Sequence, residues 1–88
     1  MGFTESSDTL QFSSNKLLIE LCGQLDINLS KIESLAEVQI VRRGNELSIY
    51  GLKDNCDLTK KLINDLYSDL ERGKNFDDRE LDIYFQQA

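Results

Sequence analysis

Polar and apolar residues alternate over Thr9-Leu10-Gln11-Phe12-Ser13, which predicts a short strand with Leu10 and Phe12 turned to a core. The preceding residues 1–8 are small and polar without periodicity and predict a weakly ordered start. Ser14 or Asn15 can cap a helix with Lys16 to Cys22 as its body, and Gly23 stops it. Leu25, Leu29, Ile32, Leu35 and Ala36 then recur at helical spacing, so a second helix is expected from about Ile27 to Ala36 with Asp26 as its cap. Further on the period changes to two. Val38, Ile40 and Arg42 alternate with Gln39, Val41 and Arg43, and Gly44-Asn45 separates this run from Glu46 to Gly51. That is a hairpin pattern, because Gly and Asn tolerate the positive φ of a tight turn. A two-residue turn places Arg43 opposite Glu46, Arg42 opposite Leu47 and Ile40 opposite Ile49, with Val38, Ile40, Leu47 and Ile49 on the buried face.

From about Asp54 to Arg72, residues Leu58, Leu62, Ile63, Leu66, Tyr67 and Leu70 form the apolar stripe of the main core helix, with Gly73 as its C-terminal cap. Asp77 and Glu80 stand at capping-box spacing and Phe76 and Leu81 at staple spacing, so a last short helix should run to about Gln86. The expected fold is α+β, in the order strand, helix, helix, strand, strand, helix, with a terminal helix after it.

Composition narrows the chemistry. A chain of 88 residues, 40% apolar and 30% charged, makes one domain with a modest core. It has no histidine, and no nucleophile stands beside an evident base, so no catalytic residue is assigned and a free-standing enzyme is not expected. Cys22 and Cys56 lie outside any CxxC or Cys/His cluster and read as buried reduced thiols, although a disulfide between them stays open. Around Gly73-Lys74 a phosphate loop would need glycine at Ser68 and Ser or Thr at Asn75. The acidic run Asp77, Asp78, Glu80, Asp82 lacks calcium-loop spacing and suits a helix start. No cofactor or metal is therefore expected. No apolar run approaches a membrane span and the start has no basic signal, so a soluble cytoplasmic protein is expected. The net charge of −6 argues against strong nonspecific binding to nucleic acid.

Cys22-Gly23-Gln24-Leu25-Asp26-Ile27-Asn28-Leu29-Ser30-Lys31-Ile32-Glu33 resembles the K-homology run of glycine loop, Asn, aliphatic, two polar or basic residues and aliphatic. The hairpin and long helix follow where that fold has them. Together with Leu21, the segment Val38 to Asn45 and Leu66-Tyr67, the run is similar to the N-terminal domain of bacterial PhoH-like proteins, from about Thr9 onward. The resemblance implies a three-stranded antiparallel sheet packed on helices over residues 9–73. It also implies a helix over 74–88 leading towards a P-loop ATPase domain that this chain does not contain. The implied role is a non-catalytic accessory domain with weak contact to single-stranded RNA, in a family tied to phosphate starvation.

On that resemblance the candidate RNA contacts are Gly23, Gln24, Leu25 and Asp26 in the loop, with Lys31, Arg42 and Arg43 for one or two phosphates. The loop departs from the K-homology pattern, since Asp26 replaces the second glycine and repels phosphate, while Gln24 and Leu25 carry no charge. Structural readings stand beside these: Gly23 as a helix stop, Asp26 as a cap, and Arg43 paired with Glu46. Alternation turns Arg42 towards the apolar face near its edge, where it must snorkel or meet a partner, making it the leading basic candidate. Tyr67, Tyr84 and Phe85 fit core packing. Leu81, Tyr84 and Phe85 also form a candidate protein interface, should so short a chain leave them uncovered. The alternative function is accordingly a protein-interaction or oligomerisation module, docking on the ATPase domain or another subunit.

Overall fold

The computed structural model describes residues 5–87, Asp78 as backbone only. Its elements are β1 (Glu5–Gln11), α1 (Asn15–Cys22), a 3-10 turn (Gln24–Asp26), α2 (Ile27–Ala36), β2 (Gln39–Arg43), β3 (Glu46–Leu52), α3 (Lys53–Glu71) and α4 (Asp78–Gln87). The three strands form one antiparallel sheet in the order β1-β3-β2. This is the K-homology-like β-α-α-β-β-α layout with an added C-terminal helix.

Local signals account for most of the boundaries. Ser14, rather than Asn15, caps α1 by accepting a hydrogen bond from the Leu17 N–H at 3.2 Å. The hairpin register is the expected one, with Arg43 opposite Glu46, Arg42 opposite Leu47 and Ile40 opposite Ile49. Asn45 also locks the hairpin to the end of β1, since its Nδ2 donates to the Phe12 carbonyl at 2.8 Å and its carbonyl accepts from the Phe12 N–H at 3.0 Å. Gly73, at φ 84°, ends α3 in a Schellman motif: its N–H donates to Leu70 O at 3.0 Å and the Lys74 N–H to Asp69 O at 2.9 Å. At the start of α4 the capping box forms, with Asp77 Oδ1 accepting from the Glu80 N–H at 3.1 Å and Glu80 Oε1 from the Asp77 N–H at 3.3 Å. The bond from the Glu80 N–H, followed by that from the Arg79 side chain, holds the Asp77 carboxyl below its usual range.

The helices pack on one face of the sheet. Phe12, Leu18, Leu21, Leu29, Ile32, Leu47, Ile49, Leu62, Ile63, Leu66 and Leu70 are buried in a single core. Cys22 and Cys56 are both free thiols inside it. Tyr67 packs on Phe12 with ring centroids 4.7 Å apart, and its hydroxyl accepts from the Ser14 N–H at 3.0 Å, which satisfies its polar end inside the core.

Two expectations are corrected. The first strand begins at Glu5, not Thr9, because β3 offers ladder partners along its whole length, from Glu5 opposite Leu52 to Gln11 opposite Glu46. Its polar inward positions are served from α3: the Ser6 carbonyl accepts from Cys56 Sγ at 3.7 Å, and Asp8 meets Lys60 Nζ at 3.6 Å. Residues 1–4 of the start expected to be weakly ordered lie outside the described residues. In α3, Leu58 is only half-buried, and Thr59 takes the core position with its hydroxyl donating to Asn55 O at 2.7 Å.

Candidate nucleic-acid interface

The junction of α1 and α2 is built around Gly23. Its N–H closes α1 on Ile19 O at 3.0 Å, and its φ 79°, ψ 174° lie in a region essentially reserved for glycine. A Cβ there would stand 2.7 Å from Asn28 Nδ2. That amide is buried and donates to Leu21 O at 3.1 Å, tying the first turn of α2 to the last turn of α1. Asn28 thus fixes the path of the loop, a role the sequence reading did not assign to it.

Leu25 (φ 55°) and Asp26 (φ 57°) follow, both left-handed. For non-glycine residues this conformation costs roughly 1–2 kcal/mol each. Its result is to throw the Leu25 side chain outward, where it is 94% exposed. Gln24, Leu25, Ile27 and Ser30 line an open hollow of about 460 Å³. Asp26 does not cap α2, contrary to expectation, because a left-handed cap residue aims its carboxylate away from the helix N–H groups. The carboxylate instead stands 3.8 Å from Arg42 Nε on β2. Arg42 meets a partner on the helix side of the sheet, as its alternation required, and the partner is the loop itself.

The structure therefore brings Gly23, Gln24, Leu25, Asp26 and Arg42 together at the turn, with Gln24 and Leu25 lining the hollow and Asp26 paired with Arg42, and it separates the other two basic candidates. Lys31 reaches across to α4, with its Nζ 3.6 Å from Asp82 Oδ2. Arg43 follows Arg42 on β2 and so lies on the opposite, open face of the sheet. It lies opposite Glu46 in register, yet Glu46 Oε1 accepts from Gln11 Nε2 at 2.8 Å, and among the described residues Arg43 makes no ion pair. Glu33 Oε2, unassigned from sequence, accepts from the Ile40 N–H at 2.7 Å on the outer edge of β2.

Electrostatics at the loop are close to balanced. Burial, then the Asp26 carboxylate, push the Cys22 thiol up to about 11 against the opposing pull of Arg42, so the thiol beside the loop stays protonated near neutral pH. Among the described residues no group of three or more His, Cys, Asp or Glu side chains is placed to hold a metal ion, and no helix is long and apolar enough to cross a membrane.

The candidate protein interface is corrected in part. Leu81 is fully buried in the core, because α4 folds back on α2 and α3. The Tyr84 hydroxyl donates to the Asp69 carboxylate, and burial together with that bond pushes Tyr84 up to about 12. Phe85 is half-buried against the same core. The outward apolar residue of α4 is Ile83, 54% exposed.

No protein-family model matches the sequence, and no curated protein matches it. The PhoH-like resemblance thus rests on the short sequence pieces that carry it. Among solved structures, Dim2p from Pyrococcus horikoshii superposes with a TM-score of 0.72 at 12% identity, over 96% of this chain and 49% of that one. A protein of unknown function from Aeropyrum pernix superposes with a TM-score of 0.69 at 14% identity, over 94% of this chain and 48% of that one. The chain spans about half the length of each. At these identities the likeness is one of fold, and it bears out the K-homology-like topology.

Proposed function

We propose that this domain is a non-catalytic K-homology-like module that contacts single-stranded RNA weakly through the groove bounded by the Gly23–Asp26 turn, α2 and β2. The observation that carries this reading is the turn, held by Gly23 and Asn28 so that its backbone and Leu25 stand out beside Arg42 at a sheet edge. In use, Leu25 and Ile27 offer apolar surface to a base, and Arg42 exchanges the Asp26 carboxylate for a phosphate. The exchange is cheap, because an exposed ion pair contributes only about 0–1 kcal/mol. It also makes the affinity low, since one arginine supplies the positive charge. In the wider reading the domain is an accessory part of a longer cytoplasmic PhoH-like ATPase, which would supply the ATP chemistry.

Titration of labelled single-stranded RNA with the wild type and an Arg42→Glu variant, at low and moderate salt, tests this. Saturable binding that weakens with salt and is clearly reduced in the variant is expected. An absence of binding even at low salt refutes the RNA reading.

A second reading, protein interaction, is favoured by one specific observation: Ile19, Leu25 and Ile27 are 51%, 94% and 57% exposed around a loop that carries no free cation. Here the ATPase domain or another subunit covers the loop. Leu25→Ser would then abolish complex formation, and the wild-type domain would show no saturable RNA binding.

A further inference from the structure

The helices leave one face of the sheet open, and the side chains on it form ordered rows. Register places Ser7, Tyr50 and Gln39 across one row, Thr9, Ser48 and Val41 across the next, and Gln11, Glu46 and Arg43 across the third. Tyr50 is 43% exposed at the centre of its row. It stands in an open hollow of about 570 Å³ lined also by Glu5, Ser6, Ser7, Gln39 and Gly51. Two rows away on the same face is Arg43, whose opposite number Glu46 is held by Gln11. Seven of the ten lysines and arginines pair with carboxylates among the described residues, and Arg43 is one of the three that do not.

We infer that this open face is a second, independent contact surface for single-stranded nucleic acid, with a base stacking on Tyr50 and a phosphate held by Arg43. An exposed aromatic on a solvated sheet is the platform on which unpaired bases stack. Gln39 and Ser7 flank the ring with amide and hydroxyl groups that donate and accept, which suits the hydrogen-bonding edge of a base. The charges are complementary in order: Glu5 lines the Tyr50 hollow and keeps phosphate out of it, while Arg43 attracts phosphate at the far row. Gln39 and Arg43 are about 13 Å apart along β2 at the ordinary strand rise, a reach that extended single strand covers. The polar rows around Tyr50 do not make the apolar centre that a stable protein interface needs. This surface lies across the sheet from the loop groove and does not depend on it.

Anisotropy titrations with labelled oligouridine test the inference in an Arg42→Glu background, which disables the groove. Residual binding should survive there, persist in Tyr50→Phe, and weaken on the order of tenfold in Tyr50→Thr. Arg43→Gln should flatten the dependence of log K on log[salt] by about 0.7, the loss of one phosphate contact on a single strand. Thermal melts confirm that each variant is folded, and Arg43→Gln gives an answer even where Tyr50→Thr does not. The inference is overturned by loss of all binding in Arg42→Glu, which leaves the groove as the sole RNA site, or by equal affinities for Tyr50→Thr and Tyr50→Phe. A Tyr50→Thr effect on self-association alone, read by sedimentation, likewise overturns it in favour of a protein surface.

Discussion

Replacing Gly23 by alanine is the sharpest test of how the loop is held. The new Cβ would lie 2.7 Å from Asn28 Nδ2, 2.9 Å from Asn28 Cγ and 3.2 Å from Ile27 Cγ2, all closer than an ordinary contact. The backbone at φ 79° and ψ 174° is itself costly for any residue with a Cβ, by about 1–3 kcal/mol. Relieving the clash moves the Asn28 amide off Leu21 O, and a buried donor and acceptor left unpaired cost a further 1–3 kcal/mol or so. The sum, about 2–6 kcal/mol, is a large share of the roughly 4–13 kcal/mol available to a domain of 88 residues. Urea and thermal unfolding should therefore show Gly23→Ala melting roughly 10–40 °C lower. Because part of the cost passes through Asn28, a double-mutant cycle with Asn28→Ala should show coupling of about 1 kcal/mol or more, the two changes costing less together than the sum of each. A Gly23→Ala loss under about 0.5 kcal/mol, or an unchanged cost in the Asn28→Ala background, refutes the steric account of the junction.

Asp26→Gly restores the second glycine of the loop, relieves a left-handed aspartate and releases Arg42. Stability should change by less than about 1 kcal/mol, since the lost ion pair is exposed and the backbone gain offsets it, while single-stranded RNA affinity rises severalfold by anisotropy. Alkaline pH offers a second handle. Burial and the bond to Asp69 raise Tyr84 from 10.0 to about 12, so the folded state favours the protonated phenol. That stabilisation is full below pH 10 and is lost as pH rises through about 12, because above the unfolded value the unfolded chain releases the proton first. Tyr84→Phe should cost about 1–2 kcal/mol near neutral pH and flatten the decline across that window, as followed by urea unfolding at stepped pH. Cys22, raised chiefly by burial from 9.0 to about 11, follows the same sign, with its contribution lost between those values. A Cys22→Ala variant should show a shallower fall there.

The helices, the hairpin and its register were legible in the sequence because each rests on short-range rules. Gly44-Asn45 sets which residues pair across the turn, Gly73 takes the left-handed cap, and Asp77 with Glu80 closes the box that starts α4. What escaped the sequence was imposed from a distance. Glu5-Ser6-Ser7-Asp8 has no apolar alternation, and it becomes strand because β3 supplies partners along that length and Lys60 meets Asp8. Asp26 has the residue type of a cap, but Gly23 and Asn28 dictate the path between the helices, and on that path the carboxylate faces Arg42. The pairing of Lys31 with Asp82 joins α2 to α4 and has no counterpart in local pattern.

The candidate site shows the limit of adjacency most clearly in Arg42 and Arg43. Neighbours in sequence become opposites on a strand, because side chains alternate across the sheet with a period of two. On edge strand β2 this puts Arg42 beside the loop and Arg43 on the open face, so each surface has one arginine rather than a pair. Most other cations are matched by carboxylates within a chain of net charge −6. Binding that depends on one arginine per face has to draw its free energy from stacked bases and close backbone approach, with a salt slope near −0.7 for each phosphate engaged. A steep slope would mean that several phosphates are neutralised at once. Two single arginines on opposite faces cannot do that, and the remaining positive charge would have to come from lysines elsewhere, such as Lys16 and Lys74, or from a partner.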